Sequence, residues 1–195
     1  MDRNLILASQ SPRRRELLGL LGIPFEVVPS RTDETPKPQE APVDFVRRAA
    51  REKGAEVSVR VQDAIVIAAD TIVSVDGGIF GKPADRDDAV RMLETLSGRE
   101  HSVYTAVSVV DSASGTCHEG MDETRVWFSS ISRRMIDHYL GLEDVMDKAG
   151  AYAIQGFASV FIPRIEGNYG NVMGLPLSLT YSLLSRHGVV CDTSS

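Results

Sequence analysis

The hydrophobic positions of this chain fall in short blocks separated by polar turns, and their spacing changes from block to block. Residues 5–8 make an apolar run of strand length. A helix follows over 12–21, with Ser11 as N-cap, Pro12 at the first helical position and Gly22 as the stop. A second strand is predicted near 25–28. After the Pro-rich connection SRTDETPKPQEAP, a helix is predicted over about 43–57, where Val46, Ala50 and Val57 form an apolar stripe. The run AIVIAAD, 64–70, is a buried strand by its length and β-branched content. IVSVDGGIFG then reads as a hairpin turning on Asp76, Gly77 and Gly78.

Asp85, with Asp88 three residues on, starts a helix to about Leu96. The alternating segments EHSVYTAVSVVD and ETRVWFSS flank the turn SASG and predict an antiparallel pair. Ser132 caps a helix to about Leu140, a strand is expected near 160–165, and Pro176 opens a last helix to about His187. Residues 192–195 read as a loose tail. Strands alternating with helices around an antiparallel insert predict an α/β fold with a mixed, twisted sheet and flanking helices. With no internal repeat and no firm boundary, residues 1–195 are expected to form one domain.

Composition narrows the picture. A chain of 195 residues can bury roughly 70% of its unfolded surface, and 43% apolar with 25% charged residues is ordinary for a soluble globular domain. Cys117 and Cys191 lie far apart without metal-ligand spacing, so neither a disulfide framework nor a zinc site is indicated. Arg13, Arg14 and Arg15 interrupt any signal-peptide core, and no run approaches the ~18 apolar residues of a membrane span. A cytoplasmic protein, neither membrane-bound nor nucleic-acid-bound, is expected. The net charge of −6 argues against general nucleic-acid binding, yet it is uneven: residues 1–60 hold 11 Lys and Arg against 9 Asp and Glu, and the remainder 10 against 18. An anion would therefore be drawn by local geometry and a metal, not by the overall field.

Local geometry is suggestive at several points. Three arginines open the first helix, the end where cations cost a few tenths to about 1 kcal/mol each. Asp70 ends the apolar run 64–69, and ligands of open α/β sheets gather at the carboxyl ends of strands. A turn acid capping the next segment fits that position equally. Lys53 falls in line with the apolar stripe of its helix, where a lysine either snorkels to the rim, the commoner outcome, or enters a polar pocket. GGIFGKP fails as a P-loop, because Asp76 stands where the first glycine belongs and Pro83 replaces the Ser or Thr. Lys82 remains a candidate phosphate contact. The four histidines show no HExxH pattern and no GxSxG elbow exists, so His101, His118, His138 and His187 are read as structural or exposed. DKAGAYAIQG and IEGNYGNVMGLPL combine glycines that permit close backbone approach with Lys148, Tyr152 and Gln155.

LASQSPRRRELL, AADTIV, GKP, LSGREHSVYTAV, DKAGAYAIQG and IEGNYGNVMGLPL resemble, in order and spacing over nearly the whole chain, the Maf family of nucleotide pyrophosphatases. The resemblance implies an elongated fold of two lobes around a deep cleft, similar to inosine-triphosphate pyrophosphatases. It implies cleavage of a nucleoside triphosphate between the α and β phosphates with a divalent cation, Mg2+ or Mn2+. Asp70 would be the proton acceptor; Ser9, Arg13, Arg14, Lys53, Lys82 and Lys148 would surround the phosphates; Glu34 would join Asp70 near the metal. A homodimer is also compatible with it. A helix start beside the arginines then has its anion, met by backbone N–H groups and guanidinium forks together.

Within that family one branch resembles dTTP/UTP pyrophosphatases and another prefers 7-methyl-GTP. Arg13, Thr71 and Gln155 match the first at all three distinguishing positions. Gln155 offers both a donor and an acceptor to a pyrimidine edge, whereas guanine's adjacent N–H donors would suit a carboxylate better. Thr71 is expected to support Gln155. The rival readings are the 7-methyl-GTP specificity, a broad house-cleaning role on modified pyrimidine nucleotides, and a non-catalytic, nucleotide-binding regulator of division. Two departures from the family pattern stand out: Gly54, where Ala is usual, loosens its helix by up to ~1 kcal/mol, and Ala151 and Ala153 flank Tyr152 where Gly is more typical.

Overall fold

The computed structural model describes residues 3–189. Cys191 and the tail at 192–195 lie outside the described residues. The elements run β1 (Asn4–Leu7), α1 (Pro12–Gly19), β2 (Glu26–Val27), α2 (Pro42–Ser58), β3 (Ala64–Val75), β4 (Gly78–Phe80), α3 (Arg86–Leu96), β5 (Glu100–Asp111), β6 (Cys117–Trp127), α4 (Arg133–Leu142), β7 (Arg164–Glu166), α5 (Tyr169–Met173) and α6 (Leu177–Ser185). One seven-stranded sheet has the order β2-β1-β3-β5-β6-β7, with β4 also paired to β3. β2, β1 and β3 are parallel; β3, β5, β6 and β7 are antiparallel, as is the β3–β4 pair. The fold is mixed α/β.

Caps expected from sequence are present. The Ser11, Asp85 and Ser132 side chains accept from Arg14, Asp88 and Met135 N–H respectively. The hairpin turns on two residues only, Asp76 and Gly77, both left-handed at φ 51° and 75°, and Gly78 already pairs with Val75. That is the geometry a tight primed turn requires. The strand expected at 160–165 is shorter and later. Residues Gly156–Val160 form a 3-10 turn and β7 begins at Arg164, after Pro163, which has no N–H to give a ladder.

The largest difference is in β3, which continues to Val75 instead of stopping near residue 70. Asp70 is therefore mid-strand. On one side β3 pairs with β5 from Ile65 to Ser74 without a break. On the other, β1 pairs only as far as Ile67 and β4 begins only at Val73. Residues 68–72 border a gap in the sheet, and that gap is where β1 delivers its carboxyl end. Apolar packing divides accordingly. One core gathers α3, α4 and the far ends of β3 and β5 around Leu93, Leu96, Ile136 and Tyr139. A second gathers α1, α6 and the near ends of β1, β3 and β5 around Leu7, Leu18, Ile67 and Leu184. α2 covers the opposite sheet face through Phe45, Val46, Ala50 and Val57.

Gly54 has a physical reason on α2. A Cβ there would lie 3.1 Å from Val110 Cγ2 and 3.2 Å from Ser108 Oγ, so its absence lets the helix approach β5 closely. Ala151 sits at φ 59°, a left-handed conformation costing an alanine about 1 kcal/mol, which explains why glycine suits this loop.

Candidate active site

A cleft of about 720 Å³ opens at the gap beside β3. It is lined by all ten residues singled out from sequence: Ser9, Arg13, Arg14, Glu34, Lys53, Asp70, Thr71, Lys82, Lys148 and Gln155. Successive residues of a strand face opposite ways, so Asp70 turns toward α2 and Thr71 toward α1 and α5.

Lys53 does not snorkel. It is 5% exposed, and its Nζ donates to Asp70 Oδ1 at 2.6 Å and lies 2.8 Å from Glu34 Oε1. A stripe of small neighbours, Ala49, Ala50 and Gly54, lets α2 sit near enough for that reach. Lys82 Nζ approaches the second oxygen of Glu34 at 3.3 Å. Burial pushes the Glu34 carboxyl up, but Lys53 and Lys82 outweigh it and hold it below the usual carboxylate range. The result is a chain of alternating charge, Asp70–Lys53–Glu34–Lys82, running along the cleft wall.

The first helix divides its arginines among three tasks. Arg13 Nη1 pairs with Asp147 Oδ2 at 3.2 Å. Arg14 is turned inward: Nε donates to Gly174 O at 2.8 Å, Nη1 to Ala69 O at 2.8 Å and to Ser9 Oγ at 3.4 Å, and Nη2 to Thr71 Oγ1 at 2.9 Å. Burial lowers its pKa, opposed by the negative charges of Asp70 and Glu34; a guanidinium remains protonated regardless. Most of its N–H groups are thus committed to the protein rather than facing the cleft. Arg15 is exposed and lines a separate shallow hollow with Phe25 and Val27.

Lys148 Nζ bonds Asp147 Oδ1 at 2.8 Å and also the Asp144 carbonyl. Asp147 therefore bridges Lys148 and Arg13, and after the upward push of burial these cations hold its carboxyl below the ordinary range. Gln155 is exposed at the cleft, next to the 3-10 turn. Thr71 does not touch Gln155 through its hydroxyl, which meets Arg14 and Thr105 instead.

Sequence reasoning missed Asp147 and Thr105. Asp147 stood next to Lys148 in plain view but unassigned. Thr105 is found only through register, since Thr71 and Thr105 are cross-strand partners on β3 and β5. Among the histidines, His101 is 2% exposed, with Nε2 2.8 Å from the Tyr152 hydroxyl. His118 Nδ1 contacts His187 Nε2 at 3.0 Å, and His138 is exposed.

A mixed α/β domain whose sheet gap is ringed by cations around one buried aspartate is a protein equipped to hold a polyanion. The chain belongs to the Maf family: the family model described as Maf-like protein matches residues 4–187. Similar curated proteins include a dTTP/UTP pyrophosphatase of Pelotomaculum thermopropionicum, 44% identical over 186 residues that cover 95% of this chain and 97% of that one. A protein of the same name from Syntrophomonas wolfei is 47% identical, covering 93% and 96%. Another from Anaeromyxobacter dehalogenans strain 2CP-1 is 48% identical, covering 96% of each. Among solved structures, a nucleoside-triphosphatase (dITP/XTP pyrophosphatase) from Mycobacterium abscessus aligns over 94% of both chains at 16% identity and a TM-score of 0.43. Among the described residues, no helix is long and apolar enough to cross a membrane.

Proposed function

We propose that this chain hydrolyses dTTP and UTP between the α and β phosphates, releasing the monophosphate and pyrophosphate. The observation that carries the reading is the buried ammonium of Lys53, held between Asp70 and Glu34 inside a cleft whose other charged residues include Arg13, Lys82 and Lys148. The names of relatives nearly half identical over almost the full chain support the same substrate class.

The donor set suits a divalent metal. Glu34 and Asp70 bring carboxylate oxygens to one ammonium, 2.8 and 2.6 Å away. Among the described residues no group of three or more His, Cys, Asp or Glu is arranged to hold an ion unaided. Mg2+ is commonly held by one or two carboxylates with substrate phosphates completing the shell, and Mn2+ accepts the same oxygens. Glu34 and Asp70 are the residues that would hold it. When bound, such an ion would neutralise phosphate charge and acidify the attacking water.

The chain's own groups do the rest. Asp70 takes the proton of the attacking water, and Lys53 keeps that carboxylate fixed by a 2.6 Å bond. Lys82, Arg13 and Lys148 offset the negative charge that collects on the departing pyrophosphate. The N-terminus of α1 adds the Arg13 N–H, since Pro12 has none and the Arg14 N–H is taken by Ser11. Gln155, free at the cleft edge, can both donate to and accept from a uracil or thymine edge.

Asp70→Asn tests the reading. Pyrophosphate release from UTP should fall at least about 100-fold, the usual scale of a lost general base. A panel of triphosphates should show UTP and dTTP ahead of 7-methyl-GTP. Equal UTP binding by wild type and variant, with no turnover by either, would instead favour a nucleotide-binding regulator.

A further inference from the structure

We propose that Thr105, buried beneath the cleft and outside the charged cluster, is a positioning residue that fixes the Arg14 guanidinium and, through it, the strand carrying Asp70. The proposal rests on the pyrophosphatase reading of the same site.

Thr105 is fully buried. Its Oγ1 lies 2.8 Å from Asn171 O and 2.9 Å from Thr71 Oγ1, which in turn lies 2.9 Å from Arg14 Nη2. Proton direction along this line is forced. A guanidinium only donates and a carbonyl only accepts, while each hydroxyl has a single proton. Arg14 therefore donates to Thr71, Thr71 to Thr105, and Thr105 to the Asn171 carbonyl.

The line closes on itself. Asn171 lies in α5, whose C-cap is Gly174 at φ 107°, and Gly174 O accepts from Arg14 Nε at 2.8 Å. α5 is itself tied to the sheet, since Asn171 Nδ2 donates to Val103 O and Thr124 Oγ1, both at 2.9 Å. The guanidinium is thus gripped from two sides by one short helix, once through Gly174 and once through the two threonines.

The grip bears on chemistry because of what else Arg14 touches. Nη1 donates to Ala69 O, and Nη2 to the Thr71 side chain, so Arg14 braces the residues on both sides of Asp70. In β3 that stretch has a strand partner only on the β5 side. Arg14 supplies the missing restraint. Thr71 then influences the site through its hydroxyl pairing within the protein, and Arg14 acts as a brace rather than chiefly as a phosphate ligand.

Thr105→Val preserves shape and removes the hydroxyl, leaving the Thr71 proton without its acceptor and the Asn171 carbonyl with only the Gly174 N–H, at 3.0 Å. The expected result is a five- to tenfold fall in kcat for UTP with KM within about twofold, because Asp70 is misaligned while the phosphate-binding cations are untouched. Thr105→Ser, which keeps the hydroxyl, should restore kcat to within about twofold of wild type. In a cycle with Thr71→Val, the double variant should be no slower than the slower single variant, as links of one chain are non-additive. Wild-type kcat in a folded Thr105→Val, a loss falling wholly in KM, or additive losses would overturn the proposal. Should Thr105→Val not fold, Thr71→Val breaks the same line one link nearer Arg14, and wild-type kcat there overturns it equally. Absence of turnover in the wild type would instead defeat the pyrophosphatase reading itself.

Discussion

Replacing Lys53 with Met tests how much of the site's architecture depends on one ammonium. Met matches the stem and leaves Asp70, 5% exposed, without its 2.6 Å partner. At an effective dielectric of about 20, the pair's gross attraction at that distance is roughly 6 kcal/mol, most of it offset by the desolvation of both ions. Removing one partner of such a buried pair costs about 3–5 kcal/mol, because the remaining charge is stranded. Glu34 is 41% exposed in its side chain, so water can replace its share, and the lower end, ~3 kcal/mol, is expected. For a chain of this size that is a fall of roughly 6–12 °C in Tm. Urea unfolding followed by the single tryptophan, Trp127, reads the difference directly. Adding Asp70→Asn to Lys53→Met removes the stranded charge, so the double variant should recover about half or more of the loss. A Lys53→Met protein within ~0.5 kcal/mol of wild type, as exposed pairs give, and unaffected by Asp70→Asn, would refute the buried-pair argument.

Two further outcomes follow, one from a core histidine and one from the cleft edge. Burial holds His101 at about 4, below its ordinary 6.5, so the unfolded chain takes up a proton that the folded one refuses; stability is fully present above pH 6.5 and falls by roughly 3 kcal/mol as pH drops through 4. Unfolding free energies of wild type and His101→Gln, compared from pH 7.5 to 4, should diverge from neutrality downward, and parallel curves would contradict the assignment. Gln155→Glu should shift preference from UTP toward 7-methyl-GTP, by roughly 10-fold or more in the ratio of kcat/KM if the residue meets the base edge; an unchanged ratio removes Gln155 from base reading.

Legibility from sequence tracks how local each determinant is. Caps at Ser11, Asp85 and Ser132 and the Asp76–Gly77 turn were readable because each depends on a handful of neighbouring residues. The end of β3 was misread for the converse reason. Asp70 and Thr71 look like a polar stop after AIVIAA, yet β5 pairs across them, and cross-strand hydrogen bonds outweigh local polarity. Lys53 on an apolar stripe had two outcomes that only the position of Asp70 and Glu34, 17 residues ahead and 19 behind, could separate. Thr105 carried no signal of its own in an alternating strand; its meaning comes from the register that sets it opposite Thr71.

The charges of the cleft share one property that joins stability to binding. Apart from Arg14, which is held by carbonyl and hydroxyl oxygens, each cation meets a carboxylate: Lys53 has Asp70 and Glu34, Lys82 has Glu34, and Arg13 and Lys148 have Asp147. A polyphosphate entering such a site exchanges one set of anionic partners for another instead of neutralising bare charge. Exchange is easiest where the carboxylate is accessible: Asp147 and Glu34 are 50% and 41% exposed in their side chains, and Asp70 only 7%. Exposed pairs hold by about 1 kcal/mol or less, whereas taking one partner away from a buried pair strands the other charge at a cost of about 3–5 kcal/mol. The two outer carboxylates are therefore the ones a substrate can displace, while the buried Asp70–Lys53 pair persists through binding. On the mechanism proposed above, that division would keep Asp70 fixed as the base and let the outer cations turn toward phosphate.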